Sequence, residues 1–590
     1  MKKIVSLLVI IVLILTIIGC SSNKETTIKP IYRSIEEWKE RYSLCEYKEN
    51  EKLDFIPDGR PSVTCINGTF VGNTIDGIDI YKGIPYAKAP IGELRFQKAQ
   101  PVATSTGIYD ASYFGQSFMQ PEDYLELASQ YGMGEDCLRL NIWNNTANND
   151  QAKPVLVFIH GGGFLSGGTS DPLYDGYNFV YYNPDIIMIT VAYRAGVLGF
   201  VDLSDFDGSE NYKYSKNNGF YDQIEALRWI KNNIKQFGGD PDNVTICGES
   251  AGGCFVSGLC VMDEAKGLFN KAIPMSGAVN LCIPIEKAKS LPKAIKEKFD
   301  ASSVKDIQNI PFEELRAWWE KEYEALINDP IMDGETLGDN LFSLYKNGYA
   351  KDITILQGNT EDEFRYYYTV FNYCLPFYQA ICDELVKSFE KKSHGNFDEL
   401  FEKYRQILLD SGYAEEDINR CLADDITLKI YNTYQAILHA NSGGTGYCYT
   451  FATPYDIKFD DFELGAAHAV DCYYLFGNFD GEFSFGTNDQ VDTSIAFQKM
   501  IANFCKTGDP STNEIEWPTF DDEHRYRMII NECNFKVIEN PEKERVDVLL
   551  EMLDQFDTLY GLGLAPIIEA AYNNHPEAAK LYIDSLAKNK

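Results

Sequence analysis

The chain has 590 residues, of which 45% are apolar and 13% aromatic, and this excludes an intrinsically disordered, collagen-like or coiled-coil protein. Asp and Glu total 88 against 53 Lys and Arg, a formal charge of −35. So acidic a surface repels phosphate backbones, which argues against a nucleic-acid partner.

Lys2 and Lys3 precede an apolar run from Ile4 to Ile18 that is short for a transmembrane helix. The run ends Ile17-Ile18-Gly19-Cys20, followed by Ser21 and Ser22. This resembles a bacterial lipoprotein lipobox, which implies cleavage after Gly19, lipidation of Cys20 and a protein tethered to a membrane face outside the cytoplasm. An uncleaved anchor or an ordinary signal peptide is the alternative. The expected organisation is a leader at 1–19, a lipidated N-terminus and spacer at 20–61, one large domain at 62–545 and a helical tail at 546–590. The spacer contains a short amphipathic stretch, Ile35 to Tyr42. The chain has 15 cysteines and six histidines. No Cys-x-x-Cys pair occurs and no His/Cys cluster has metal-ligand spacing, so no metal or cofactor is expected and most cysteines read as small buried apolar residues.

Strand-like and helix-like segments alternate from residue 62 onward, the pattern of an α/β fold with a largely parallel sheet. Val155–Ile159, Ile186–Val191, Val244–Cys247 and Ile353–Leu356 are continuous apolar runs, as strands covered on both faces require. Asp222–Phe237 places Ile224, Leu227, Ile230 and Ile234 on one helical face, and Gly238-Gly239-Asp240-Pro241 stops it. Segments near 285–330 and 366–425 are helix-like and rich in Tyr, Phe and Trp, and read as insertions that cap the core.

Gly248-Glu249-Ser250-Ala251-Gly252 follows the Val244 strand and opens a helix of small residues. The G-x-S-x-G string alone is weak; its strand-to-helix context makes Ser250 a candidate nucleophile, since such an elbow lifts the hydroxyl above the sheet edge at a helix N-terminus. A tight turn with a satisfied serine is the bland alternative. His160-Gly161-Gly162-Gly163-Phe164 follows the Val155 strand. No Lys-Ser or Lys-Thr succeeds it, which excludes a P-loop, and it stands where an oxyanion loop would. The N–H groups of Gly162, Gly163 and Ala251 are the candidate oxyanion donors.

These strings, with Tyr81–Ala87, Leu94-Arg95-Phe96, GEDCLRLNIW at 134–143, YRAGVLGF at 193–200 and the run from NNGFYDQ at 217 through GESAGG ending at 253, occur in one order. In that order the chain resembles the type-B carboxylesterases, the cholinesterase-like branch of the α/β-hydrolases. The resemblance implies an α/β-hydrolase fold: a large, mostly parallel central sheet flanked by helices, with helical insertions over the active site. It also implies hydrolysis of a small-molecule ester through a Ser-His-Glu triad and an acyl-enzyme.

Five histidines compete for the base: His394, His439, His468, His524 and His575. His439 reads as a surface residue ending a helix. His468 lies in Gly465-Ala466-Ala467-His468, ahead of Leu475-Phe476-Gly477, and matches the family's catalytic histidine. After the Ile353 strand, Glu361, Asp362 and Glu363 compete for the acid; the family pattern places it at Glu363, with Glu361 next.

Two departures from the family are legible. Phe118 stands where a cysteine partner of Cys137 is usual, so Cys137 is expected to be a free thiol. Residues 118–137 hold no Trp, so a quaternary ammonium would lack its cation–π platform. Tyr366–Tyr368, Phe371, Tyr373 and Phe377 suggest an aromatic wall near the acid loop, or ordinary core. Two other functions compete: an esterase-like binding protein without catalysis, and hydrolysis of amides or carbamates by the same triad.

Overall fold

Apolar runs bounded by glycine and polar turns assemble into one eleven-stranded sheet. The computed structural model describes residues 50–121, 132–146, 151–323, 326–454, 458–459, 462–479, 487–556, 559 and 565–588. The leader, Cys20 and the Ile35–Tyr42 stretch lie outside them. In chain order the strands are β1 (Asn73–Ile75), β2 (Ile78–Pro85), β3 (Arg139–Asn145), β4 (Lys153–Ile159), β5 (Ile187–Val191), β6 (Gly239–Glu249), β7 (Lys271–Met275), β8 (Thr354–Thr360), β9 (Gly446–Phe451), β10 (Arg527–Asn531) and β11 (Asn534–Ile538). Their spatial order is β11-β10-β9-β8-β7-β6-β4-β5-β3-β2-β1. The strands from β10 through β5 pair in parallel, and the edges are antiparallel. Helices cover both faces, so the central strands are apolar without alternation; every residue of β5 is buried.

Two elements exceed their sequence signals. β6 begins at Gly239, five residues before the apolar run, because Gly239 pairs with Lys153 across a bulge. β8 continues through Gln357-Gly358-Asn359-Thr360, all buried, where side-chain hydrogen bonds such as Gln357 to Asn432 (2.9 Å) replace apolar packing. The helix expected from Asp222 starts at Asn218 and ends at Asn233, with a 3-10 turn, Ile234–Phe237, capped by Gly238 at φ 83°.

The capping segments are helical, as expected: Ser290–Phe299, Val304–Gln308 and Phe312–Glu322, then Leu375–Lys392, Phe397–Asp410 and Ile418–Asp424. The tail helices Ala565–Asn574 and Pro576–Lys588 lie against Leu375–Lys392. There Tyr582 stacks on Phe377 with ring centroids 4.6 Å apart. Of thirteen described cysteines, twelve are buried and all are free, Cys137 included.

One ion pair clamps the loop after β5 to the following helix. Arg194 Nη2 and Nε donate to Asp222 at 2.7 and 2.8 Å, and the Arg194 N–H adds a third bond at 3.0 Å. Both side chains are enclosed. Asp222→Ala strands a buried guanidinium and is expected to cost about 3–5 kcal/mol, read as a lower urea midpoint at unchanged m-value. A loss below about 1 kcal/mol would contradict this.

Candidate active site

The parallel strands deliver their following loops to one edge of the sheet, the carboxyl end, where ligands bind in open α/β sheets. Ser250 follows β6 at φ 59°, ψ −121°, a region L-residues rarely adopt, and is the N-cap of the helix Ala251–Leu259. Its N–H donates to the Met275 carbonyl on β7 at 2.9 Å. The turn has no room for side chains around it: a Cβ on Gly252 would sit 2.1 Å from the Ile159 carbonyl oxygen. Backbone strain of this kind persists because neighbouring strands fix both arms.

The loop after β4 abuts this elbow. A Cβ on Gly161 would meet Ser250 Cβ at 3.1 Å. Gly162 (φ 108°) accepts from the N–H groups of Leu165 and Ser166 at 3.0 and 2.9 Å, folding the loop back on itself. Gln120 holds its far arm, donating to the Gly167 carbonyl and accepting from the Gly167 N–H, both at 2.9 Å. Among the described residues, the N–H groups of Gly162 and Gly163 donate to no other backbone carbonyl. Ala251 contributes the first N–H of its helix, an orphan donor by position. Burial pushes the His160 imidazole down to about 4, so this ring is neutral. It stacks on Tyr193, whose hydroxyl donates to the His160 carbonyl at 2.7 Å.

Glu363 follows β8 and is fully buried. Its Oε2 lies 2.6 Å from His468 Nδ1, while Oε1 accepts from Ser276 Oγ at 2.6 Å and the Thr360 N–H at 2.8 Å. Burial alone would raise the Glu363 carboxyl; the imidazole and these donors outweigh it and hold the group below the usual carboxylate range. Glu361 is exposed, and Asp362 pairs with Arg365 at 2.8 Å, so neither meets the imidazole. Asp362 also accepts from the Ala466 N–H at 3.0 Å, pinning the histidine loop to the acid loop.

The other edge of the imidazole faces Glu249. His468 Nε2 lies 3.0 Å from Glu249 Oε1, a close charge contact without hydrogen-bond alignment. Ser250 and His468 share no hydrogen bond in this arrangement. Burial would lower the His468 pKa, but Glu249 and Glu363 together raise it to about 9. Burial pushes Glu249 up to about 8, tempered by the imidazole. Asp471, which accepts from Tyr449 at 2.8 Å, is raised by burial to about 7 and adds to the negative field behind the ring. Tyr366 stands 5.9 Å from the imidazole, centroid to centroid. Tyr368, Phe371 and Phe377 are core.

The remaining histidines lie elsewhere in the chain's contacts. His439 is not a surface residue: it is 2% exposed, with Nε2 3.2 Å from the Thr445 carbonyl. The Gly444 turn folds over the end of its helix and encloses the ring. His524 pairs with Asp521 and His575 with Glu384, each at 3.0 Å. Ser276 had no sequence signal beyond a Ser-Gly pair closing a buried strand. Among the described residues no group of His, Cys, Asp and Glu has the arrangement of a metal site.

Residues 59–549 match the model of the carboxylesterase family. The chain belongs to that family and is a carboxylic ester hydrolase with the α/β-hydrolase fold. It is 32% identical over 517 residues to the para-nitrobenzyl esterase of Bacillus subtilis, covering 82% of this chain and 97% of that one. The phenmedipham hydrolase of Pseudarthrobacter oxydans is 29% identical over 489 residues, covering 78% and 93%. The crystal structure of a Geobacillus stearothermophilus carboxylesterase superposes with a TM-score of 0.73 at 30% identity, covering 82% of this chain and 99% of that one.

Glu249→Gln removes one of the three carboxylates that raise His468, the one whose charge acts on it most strongly. The imidazole titration midpoint, followed by NMR, is expected to fall from about 9 toward the ordinary histidine range. An unchanged midpoint would remove Glu249 from the ring's electrostatics.

Proposed function

We propose that Ser250, His468 and Glu363 act as nucleophile, base and acid of a serine esterase, with the N–H groups of Gly162, Gly163 and Ala251 as the oxyanion hole. The observation that carries this reading is the 2.6 Å bond between a fully buried Glu363 and His468 Nδ1. That bond fixes the tautomer that leaves Nε2 as the proton acceptor. With substrate bound the imidazole turns from Glu249 to Ser250, since catalytic hydrogen bonds tighten in the Michaelis complex. Nε2 then takes the hydroxyl proton as Ser250 Oγ attacks the ester carbonyl. The carbonyl oxygen becomes an oxyanion and rests on the backbone N–H groups; losing one such donor costs about 2.7–4 kcal/mol in a comparable site. Nε2 returns the proton to the departing alcohol. Water, deprotonated by the same nitrogen, then releases the acid and restores Ser250. The buried Glu363–His468 bond beside a strained Ser250 elbow supports catalysis over a non-catalytic binding role. The similarity to a phenmedipham hydrolase supports carbamates as a second substrate class for the same nucleophile.

The lipobox-like string at Ile17–Cys20 supports an exported enzyme held at the membrane by lipidated Cys20. The wild-type N-terminal peptide is expected to begin at Cys20 and carry the mass of a thioether-linked diacylglycerol, and Cys20→Ala to lose that lipid mass, both read by mass spectrometry. A wild-type N-terminus without lipid would refute lipid anchoring.

Ser250→Ala is expected to lower kcat for p-nitrophenyl esters by about 10⁴-fold or more at unchanged thermal midpoint. Wild-type turnover in that variant would remove Ser250 from the mechanism. The base must be unprotonated, and a raised His468 is unprotonated only at alkaline pH. kcat/KM should therefore climb on a limb above the ordinary histidine midpoint, toward about 9. A limb near pH 6 would contradict the carboxylate clamp.

A further inference from the structure

Two buried thiols meet under the nucleophile turn. Cys254 lies one helical turn beyond Ser250, and its N–H donates to the Ser250 carbonyl at 2.9 Å. Its Sγ is 3.6 Å from the Sγ of Cys282, 28 positions along the chain. Cys282 ends the short turn Val279–Leu281, six residues after the Ser276 whose hydroxyl supports Glu363. Both cysteines are fully enclosed, and among the described residues this is the one recorded contact between two cysteine sulfurs. Neither thiol has a part in ester hydrolysis.

We propose that Cys254 and Cys282 are a disulfide site, a covalent brace between the helix that begins at Ser250 and the segment that supports Glu363. The two thiols together lose two protons and two electrons to a disulfide oxidant such as oxidised glutathione, whose S–S bond breaks into two thiols. The sulfurs need only close from 3.6 Å to the bonded separation of about 2.05 Å. Burial holds the Cys254 thiol well above the ordinary thiol range, and both sulfurs are closed off from a bulky oxidant in the native fold. The bridge therefore forms while the chain folds or locally opens, and once formed is shielded from exchange. Formation in the cell rests on the export reading above; formation in a redox buffer does not.

The purified full chain is equilibrated with reduced and oxidised glutathione in sub-denaturing urea, unfolded in iodoacetamide without reductant, and peptide-mapped. The peptides containing residues 254 and 282 are expected to be recovered joined, and to separate on reduction. Reduction should lower the thermal midpoint by about 3 °C, from the loop-entropy and melting-entropy scales for a loop and chain of these lengths. A C254A/C282A variant should keep ester turnover within about twofold and lose that sensitivity to reductant. Alkylation of both cysteines after this treatment, or linkage of either to a different cysteine, overturns the proposal, and the mapping stands without the variant. Protein isolated from cells with both thiols free, yet bridged in the redox buffer, would leave the brace standing and count against export instead.

Discussion

A carboxylate sealed from water must have its charge answered inside the protein. Glu363 is such a group, and the surroundings of the site follow from it. One oxygen meets the imidazole of His468; the other takes a hydroxyl from the end of β7 and an N–H from the end of β8. Those two donors exist only if adjacent parallel strands β7 and β8 end level with one another, so the requirement reaches into the register of the sheet. It also reaches the loop bearing His468, which Asp362 ties to the acid loop through the Ala466 N–H. Removing any one donor leaves a desolvated charge short of a partner, which is why so many residues here have their places fixed by others.

The imidazole sits in an equally determined field. Two carboxylates face its two nitrogens, and a third, Asp471, adds to the field behind. Such an arrangement favours imidazolium, the species that exists while a tetrahedral intermediate is being formed and broken. In the proposed mechanism the same field also holds the proton on the imidazole, so stabilising the intermediate and readying the base are opposed. Glu249, whose own carboxyl burial has already weakened as an acid, is the group through which that balance is set.

The central strands, the elbow and the glycine loop were legible because each leaves a local mark: a buried parallel strand must be apolar, and a strained turn must be flanked by glycine. What escaped was held by contacts between distant residues. The second half of β8 is polar, and nothing in Gln357-Gly358-Asn359-Thr360 reveals that partners such as Asn432 will satisfy it. Ser276 gave no sign of supporting an acid 87 positions away. His439 looked exposed because the enclosing turn at Gly444 comes from beyond its helix. The choice among Glu361, Asp362 and Glu363 could not be made from spacing, since one residue of register decides which side chain faces the histidine.

The packing of the last helices has a consequence for how the molecule is made. Ile567, Ala571 and Ala579 are buried in the same cluster as Phe377 and Ile381 of the capping helix, and Asn372 donates to Ser585 at 2.9 Å. The cluster around the helix Leu375–Lys392 thus completes its packing only after residues 565–588 have been synthesised, so this part of the fold is assembled from segments about 200 positions apart and forms late.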